Sequence, residues 1–320
     1  MLTSRRYLQI LFMLFAVILT LTFGYTYQFS KKYPLPFTSR ISFDAKIKFI
    51  KEHIDPRQID TLIVGSSIGL NNVQGAYLEK ASKKCKGVLN FSVYESNPAQ
   101  VEQVLELIGA FPHLKRVIYS AQFSDFQSAT PFHDYHPKEI ETYISYGVHP
   151  LTDLKMIAQA SEDLKFLHNR AKEWAQKHGQ KNKFTYLGFD HTGSVPLHIY
   201  GKDIIEHRWS HPHGSRHPPK AMEALDRIAQ KLQKKGIRFY LVQQPYRQAL
   251  IKKYRHVPLE LNWFLDKVTK ILHNHGGKVL SLYKTLPLSD AYFADRSHLN
   301  DKGSILAAEA IAKFIDAEEK

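Results

Sequence analysis

Apolar and polar residues follow three different rhythms along this chain. From Tyr7 to Ser30 no side chain is charged, and Leu8–Phe23 is almost continuously apolar. A helix needs about 20 apolar residues to cross a bilayer core, so this stretch is long enough to span. Arg5 and Arg6 precede it, as they would precede the core of a cleavable signal. Against a signal, the apolar run is long and no small-x-small cleavage site follows it. The reading is an uncleaved anchor, with a cleaved signal as the alternative.

The second rhythm is a set of short runs rich in β-branched and aromatic residues. They are Thr61–Val64, Val88–Val93, Arg116–Tyr119, Arg238–Val242 and Lys278–Leu282. Runs of this length suit strands buried on both faces. The third rhythm is helical. Val101, Val104, Leu105 and Ile108 share one face, and Leu225, Ile228, Ala229 and Leu232 do the same within Ala221–Lys234. Gly236 stands where the second of these helices should stop. Leu261–His273 and Ser304–Ile315 are further amphipathic segments.

Strand and helix in alternation predict an α/β fold, a parallel sheet flanked by helices, preceded by one N-terminal transmembrane helix. Residues 1–40 then form a cytoplasmic stub, anchor and linker, and residues 41–320 one domain. An irregular insertion is expected around 143–217. Its first part, Leu151–His178, reads as helix, and Thr185–His217 as a loop or lid. In a parallel sheet the functional site lies beyond the carboxyl ends of the strands.

Charge narrows the partners. The net charge of +14 favours anionic surfaces, and for an anchored protein these are lipid headgroups or acidic polysaccharide. The Lys and Arg residues are scattered and no nucleic-acid motif is present, so no nucleic-acid partner is expected. Cys85 is the one cysteine and cannot form an intramolecular disulfide. Basic residues flank both ends of the apolar stretch and leave its orientation open. A short basic N-terminus is the usual start of a signal-anchor, and long domains translocate largely regardless of charge, so the domain is placed outside the cytoplasm.

Two segments carry candidate chemistry. In Gly65-Ser66-Ser67-Ile68-Gly69, small residues follow a buried strand and permit a tight turn with exposed hydroxyls. Backbone N–H groups at such a turn can stabilise an oxyanion. The stretch also fits G-x-S-x-G, but the elbow of α/β-hydrolases follows several strands, whereas this one follows the first. Near the C-terminus, Asp295-Arg-Ser-His298-Leu-Asn300 precedes an amphipathic helix. The three-residue separation lets a carboxylate hold an imidazole whose other nitrogen faces a nucleophile. Each segment also has a plain reading, as a helix cap or a surface turn.

Taken together, Gly-x-Ser after the first strand and Asp-x-x-His-Leu-Asn before the last helix resemble the SGNH, or GDSL-like, hydrolase superfamily. The resemblance runs from about Asp60 to Ile315, with its sharp motifs at the two ends. It implies a flavodoxin-like fold with Ser67 as nucleophile, Asp295 as orienting acid and His298 as base, and it matches Gly65 to the glycine of the first block. The chain departs from the family pattern in three places. Ser66 stands where an aspartate is usual, no glycine occurs in Asn90–Asn97, and Gln122 stands near the expected third-block asparagine. Gln122 and Asn97 are accordingly candidate oxyanion or substrate-binding residues, beside the Ser67 N–H. With its anchor, the chain resembles the membrane-anchored branch that includes alginate O-acetylation proteins and the teichoic acid D-alanyl-transfer protein.

That likeness implies a single-pass protein of the bacterial cell membrane, with its domain in the periplasm or at the cell surface. It would acylate or deacylate an extracytoplasmic polysaccharide beside a multispanning membrane acyltransferase. The alternative is a catalytically weak accessory protein that binds glycan or that acyltransferase. No cofactor is implied. Histidines number 17, and His198, His207, His211, His213 and His217 fall in the insertion, but their spacing matches no strong zinc pattern and no metal is expected. Trp209 in that cluster is a candidate stacking platform for sugar. Trp174 and Trp263 read as core, and Gln243-Gln244-Pro245 as a candidate pocket wall.

Overall fold

A computed structural model describes residues 4–179, 185–204 and 218–320. Five strands form one all-parallel sheet: β1 (Thr61–Gly65), β2 (Val88–Asn90), β3 (Arg116–Ala121), β4 (Arg238–Gln243) and β5 (Lys278–Ser281). Their spatial order is β2-β1-β3-β4-β5. The chain therefore builds outward from β1 to β2, returns past β1 to β3, and continues to β5. That reversal leaves a crevice beyond the carboxyl ends of β1 and β3.

Side chains on the central strands alternate between two cores, as the two-residue period of a strand demands. Leu62, Val64, Val117, Tyr119, Phe239 and Leu241 enter one core, built with helices Ile41–His53, Pro219–Lys234 and Val257–Asn274. Ile63, Ile118, Tyr240 and Val242 enter the other, closed by Ala307, Ala308, Ile311 and Ile315 of the C-terminal helix Asp301–Glu318. Gly236 ends its helix at φ +67 as the sequence suggested, and its N–H and that of Ile237 bond back to Gln233 and Leu232.

Three features depart from the pattern read in the sequence. The Val101–Ile108 stripe is split into the helix Pro98–Val104 and a tighter 3₁₀ segment, Leu105–Ala110. The insertion opens with the helices Pro150–Ala160 and Leu164–Gly179. Its next stretch, 185–204, is irregular but sewn into the body through backbone bonds from Asn90 to Thr192, Val195 to Leu70 and Asp301 to Leu197. Fully buried Lys46 adds bonds to the carbonyls of Asn90 and Gly193. Trp263, expected in the core, is 39% exposed and meets Phe123 edge-on.

The N-terminal helix Ser4–Lys32 is long and apolar enough to cross a membrane. Its exposed apolar surface ends where packing begins. Thr26 and Phe29 are buried, the Ser161 hydroxyl donates to Thr26 Oγ1 at 3.0 Å, and Lys48 Nζ donates to the Ser30 carbonyl at 2.7 Å. The connection after it is equally fixed. Buried Asp44 accepts from the N–H groups of Phe37 and Thr38 at 3.2 and 3.0 Å, and pairs with Arg170 at 2.7 Å. Arg170 also donates to the Thr38 carbonyl at 2.9 Å. Phe29, Leu35 and Phe37 belong to the main core, so packing starts before the boundary at residue 41 that composition suggested.

Candidate active site

The turn after β1 is shaped by its glycines. Gly65 has φ +149, and a Cβ there would lie 2.3 Å from the Ser120 carbonyl oxygen of β3. A Cβ on Gly69 would meet the Ser92 hydroxyl at the same distance. Gly65 needs to be glycine because the end of β3 approaches it closely, and Gly69 sits tight against the Ser92 side chain. Between them, Ser66 caps the short helix Ser67–Asn72 by accepting the Ile68 N–H at 3.1 Å. Ser67 opens that helix with its side chain partly exposed.

The C-terminal motif folds as a tight turn closed by an antiparallel bridge between Phe293 and Leu299. Asp295 shapes it from within, since its Oδ1 accepts the backbone N–H groups of Ser297 and His298 at 2.7 and 2.8 Å. This is the turn chemistry for which aspartate is favoured. Asn300 then caps the C-terminal helix through the Gly303 N–H at 3.0 Å.

The two motifs meet. His298 Nε2 lies 2.8 Å from Ser67 Oγ, and His298 Nδ1 lies 3.0 Å from Asp295 Oδ2. Asp295 is fully buried and His298 is 6% exposed. With Nδ1–H donated to the carboxylate, Nε2 is the nitrogen that accepts the Ser67 hydroxyl proton. The connection is that of a nucleophile, its base and the group that orients the base.

One pin of this turn was not read from the sequence. Asn72, at the end of the Ser67 helix, accepts the Leu299 N–H at 2.9 Å and donates to the Ser297 carbonyl at 3.2 Å. A fully buried amide thus ties the histidine turn to the helix that Ser67 opens. Its signal was the Leu70-Asn71-Asn72 run, two amides in an otherwise apolar helix.

Asn97 and Gln122, the candidate oxyanion or substrate-binding residues, line the same cleft as Ser67 and His298, and each also makes structural bonds. Asn97 Oδ1 caps helix Pro98–Val104 through Ala99 and Gln100, and its Nδ2 donates to the Thr130 carbonyl at 2.8 Å. Gln122 Nε2 donates to the Ser297 carbonyl at 3.1 Å, making it a second pin of the histidine turn. Gly65 lies beside Ser67 as expected, in the role of a close-approach residue. Gln243 and Gln244 fasten strand ends, to the Leu261 carbonyl and the Ser120 hydroxyl, and line no part of the cleft. Trp209, His207, His211, His213 and His217 lie outside the described residues. His198 bonds Asp301 at 3.2 Å, and no cluster suited to a metal occurs among the described residues.

Ser67 and His298 open into a cleft of about 860 Å³, within the range of small-molecule sites. Ser124 and Asp125 after β3 form one wall, and Ser39, Arg40, Glu173, Lys177 and Tyr186 line its far end. The connection from the N-terminal helix is therefore part of the cleft. Asp125 is held in the turn Phe123–Gln127, where its Oδ2 accepts the Gln122 N–H at 2.8 Å.

No family model matches this chain, and no curated protein does.

Proposed function

We propose that this chain is a membrane-anchored serine acyltransferase or acylesterase of the SGNH type, acting on an extracytoplasmic polysaccharide. The carrying observation is the unbroken path from Ser67 through His298 to Asp295. Its place beyond β1 in a sheet of order 2-1-3-4-5 agrees with the flavodoxin-like architecture of that superfamily. Ser67 Oγ would attack the acyl carbon while His298 Nε2 takes the hydroxyl proton. The bond to the donor's leaving oxygen breaks, that oxygen receives the proton, and an ester on Ser67 remains. A sugar hydroxyl or water, deprotonated by the same histidine, then displaces Ser67. The Ser67 N–H, in the first helical turn with no intrahelical acceptor, is the expected oxyanion donor.

The polysaccharide, the envelope compartment and a partner acyltransferase are carried by the family resemblance and the anchor. Burial of Thr26 and Phe29 against the domain favours retention of the anchor over its cleavage as a signal. A second reading, an accessory protein without turnover, is favoured by the engagement of the Asn97 and Gln122 amides in structural bonds. A fluorophosphonate probe separates the two. The enzyme reading expects labelling of the full-length protein that Ser67→Ala and His298→Ala abolish; no labelling of the native chain would leave the accessory reading.

A further inference from the structure

We propose that Asp125 is a second carboxylate of this site, a positioning residue that holds the Ser66-Ser67 turn and supports the positive charge on His298 during proton transfer. This inference rests on the reading of Ser67 and His298 as nucleophile and base. Asp125 reaches the site from a different strand than either motif. Its 3₁₀ turn follows β3, next to β1, so its carboxyl arrives at the carboxyl end of the sheet, in the cleft that Ser66 and His298 line. One carboxylate oxygen accepts the Gln122 N–H at 2.8 Å, and the Ser66 hydroxyl is hydrogen-bonded to the carboxyl. Asp125, Ser66, Ser67 and His298 all line one cleft.

The surroundings suit a group that changes charge. Tyr119 and Tyr246 are buried beside it, and Tyr119 Oη has no hydrogen-bond partner. Burial, and then the Asp125 charge, push both phenols well above their ordinary range, so they stay neutral. Among the described residues, His298 is the charged group that acts on the Asp125 carboxyl. Glu260, on the packed helix Val257–Asn274, acts on Tyr246. Burial pushes Asp125 up to about 6, against the bonds from Gln122 and Ser66 and the pull of His298. The carboxyl therefore ionises just below neutrality.

Ser66 stands at the residue where the resembled motif carries its own aspartate. The structure assigns a carboxylate to the neighbourhood of that position from the end of β3, joined to the turn through the Ser66 hydroxyl. The anion is supplied by a group whose charge depends on pH.

The test is the pH dependence of fluorophosphonate labelling, measured on the full-length protein in detergent. In this step the Ser67 Oγ–P bond forms, the P–F bond breaks, fluoride leaves, and the Ser67 proton passes through His298 to water. In the native chain, protonating Asp125 slows labelling, so labelling falls along an acid limb set by the Asp125 ionisation. Asp125→Asn keeps an acceptor for the Gln122 N–H and removes the charge. Its plateau above about pH 8 should fall about tenfold, and the limb set by Asp125 should be lost. Ser66→Ala removes a bond that favours the ionised carboxyl, so its limb should move toward higher pH. A limb lost in one variant and displaced in the other is not what general loosening produces, and a thermal melt of each variant verifies folding. Asp125→Asn with native plateau and limb, while Ser67→Ala abolishes labelling, would overturn the role of Asp125 alone. Absence of labelling in the native chain would overturn the enzyme reading and this inference together.

Discussion

Asp295 does two jobs with its two oxygens, and a substitution separates them. Oδ1 builds the turn through Ser297 and His298, while Oδ2 faces the imidazole. Asp295→Asn retains an acceptor for the turn but offers an amide to His298, which favours the wrong tautomer. Labelling of Ser67 should fall roughly a thousandfold with the fold intact. Asn72→Ala removes the pin between the histidine turn and the nucleophile helix. The loss should lie between about ten- and a hundredfold, the cost of misplacing a reacting group by a fraction of an ångström to an ångström; steady-state ester hydrolysis would measure it. Ser67, Asp295 and His298 were legible because their spacing and flanking elements constrain them. Asn97 and Gln122 line the cleft, but the sequence did not show that each amide also bonds a neighbouring carbonyl, because an amide is equally able to serve a ligand or a carbonyl in reach. Asp125 left no mark in the sequence, since its relation to Ser66 exists only through the pairing of β1 with β3.

At the scale of elements, all five strands were legible at their starts and to within one to three residues at their ends, because buried parallel strands write themselves as short apolar runs. The split of the Val101–Ile108 stripe was not, because a 3₁₀ turn keeps nearly the same apolar spacing as a helix. The far end of the C-terminal helix shows what holds the sheet together opposite the cleft. Glu319 receives both arms of the Arg116 guanidinium at 2.7 Å and the Tyr240 hydroxyl at 2.9 Å, and lies 3.2 Å from Arg238. One carboxylate thus ties the last helix to the starts of β3 and β4. Burial works upward on this carboxyl, but Arg116 and its neighbours hold it below the usual glutamate range. A depressed carboxyl stabilises the fold above its unfolded pKa, and that contribution is lost as pH falls through the folded one. Glu319→Gln should therefore cost about 3 kcal/mol at neutral pH, and the gap to the native chain should close on acidification below about pH 4. Urea titrations at two pH values test it.

For the whole molecule, the hydrophobic stretch was legible as a helix long and apolar enough to cross a membrane, but its attachment was not. Composition marks where charge resumes after Ser30, not where packing starts, and here packing starts inside the uncharged stretch. Phe29→Ala should cost about 3 kcal/mol and lower the melting temperature of the full-length protein on the order of 5 °C or more. A flexible tether would predict no change, so differential scanning calorimetry in detergent distinguishes the two. Arg170→Leu should destabilise as well, since it removes the bonds to the Asp44 carboxyl and the Thr38 carbonyl.

In the proposed membrane-anchored protein, the seating of the N-terminal helix on the domain has a consequence for encounters within the membrane plane. Two proteins on flexible stalks must search tilt and azimuth before their surfaces meet, and that search costs rotational entropy. Here the helix and the domain turn as one body. Whatever grips the outward side of the helix also sets the compass bearing of the cleft. The exposed apolar residues of this helix would thus be part of how the proposed site is aimed, although none of them lines the cleft.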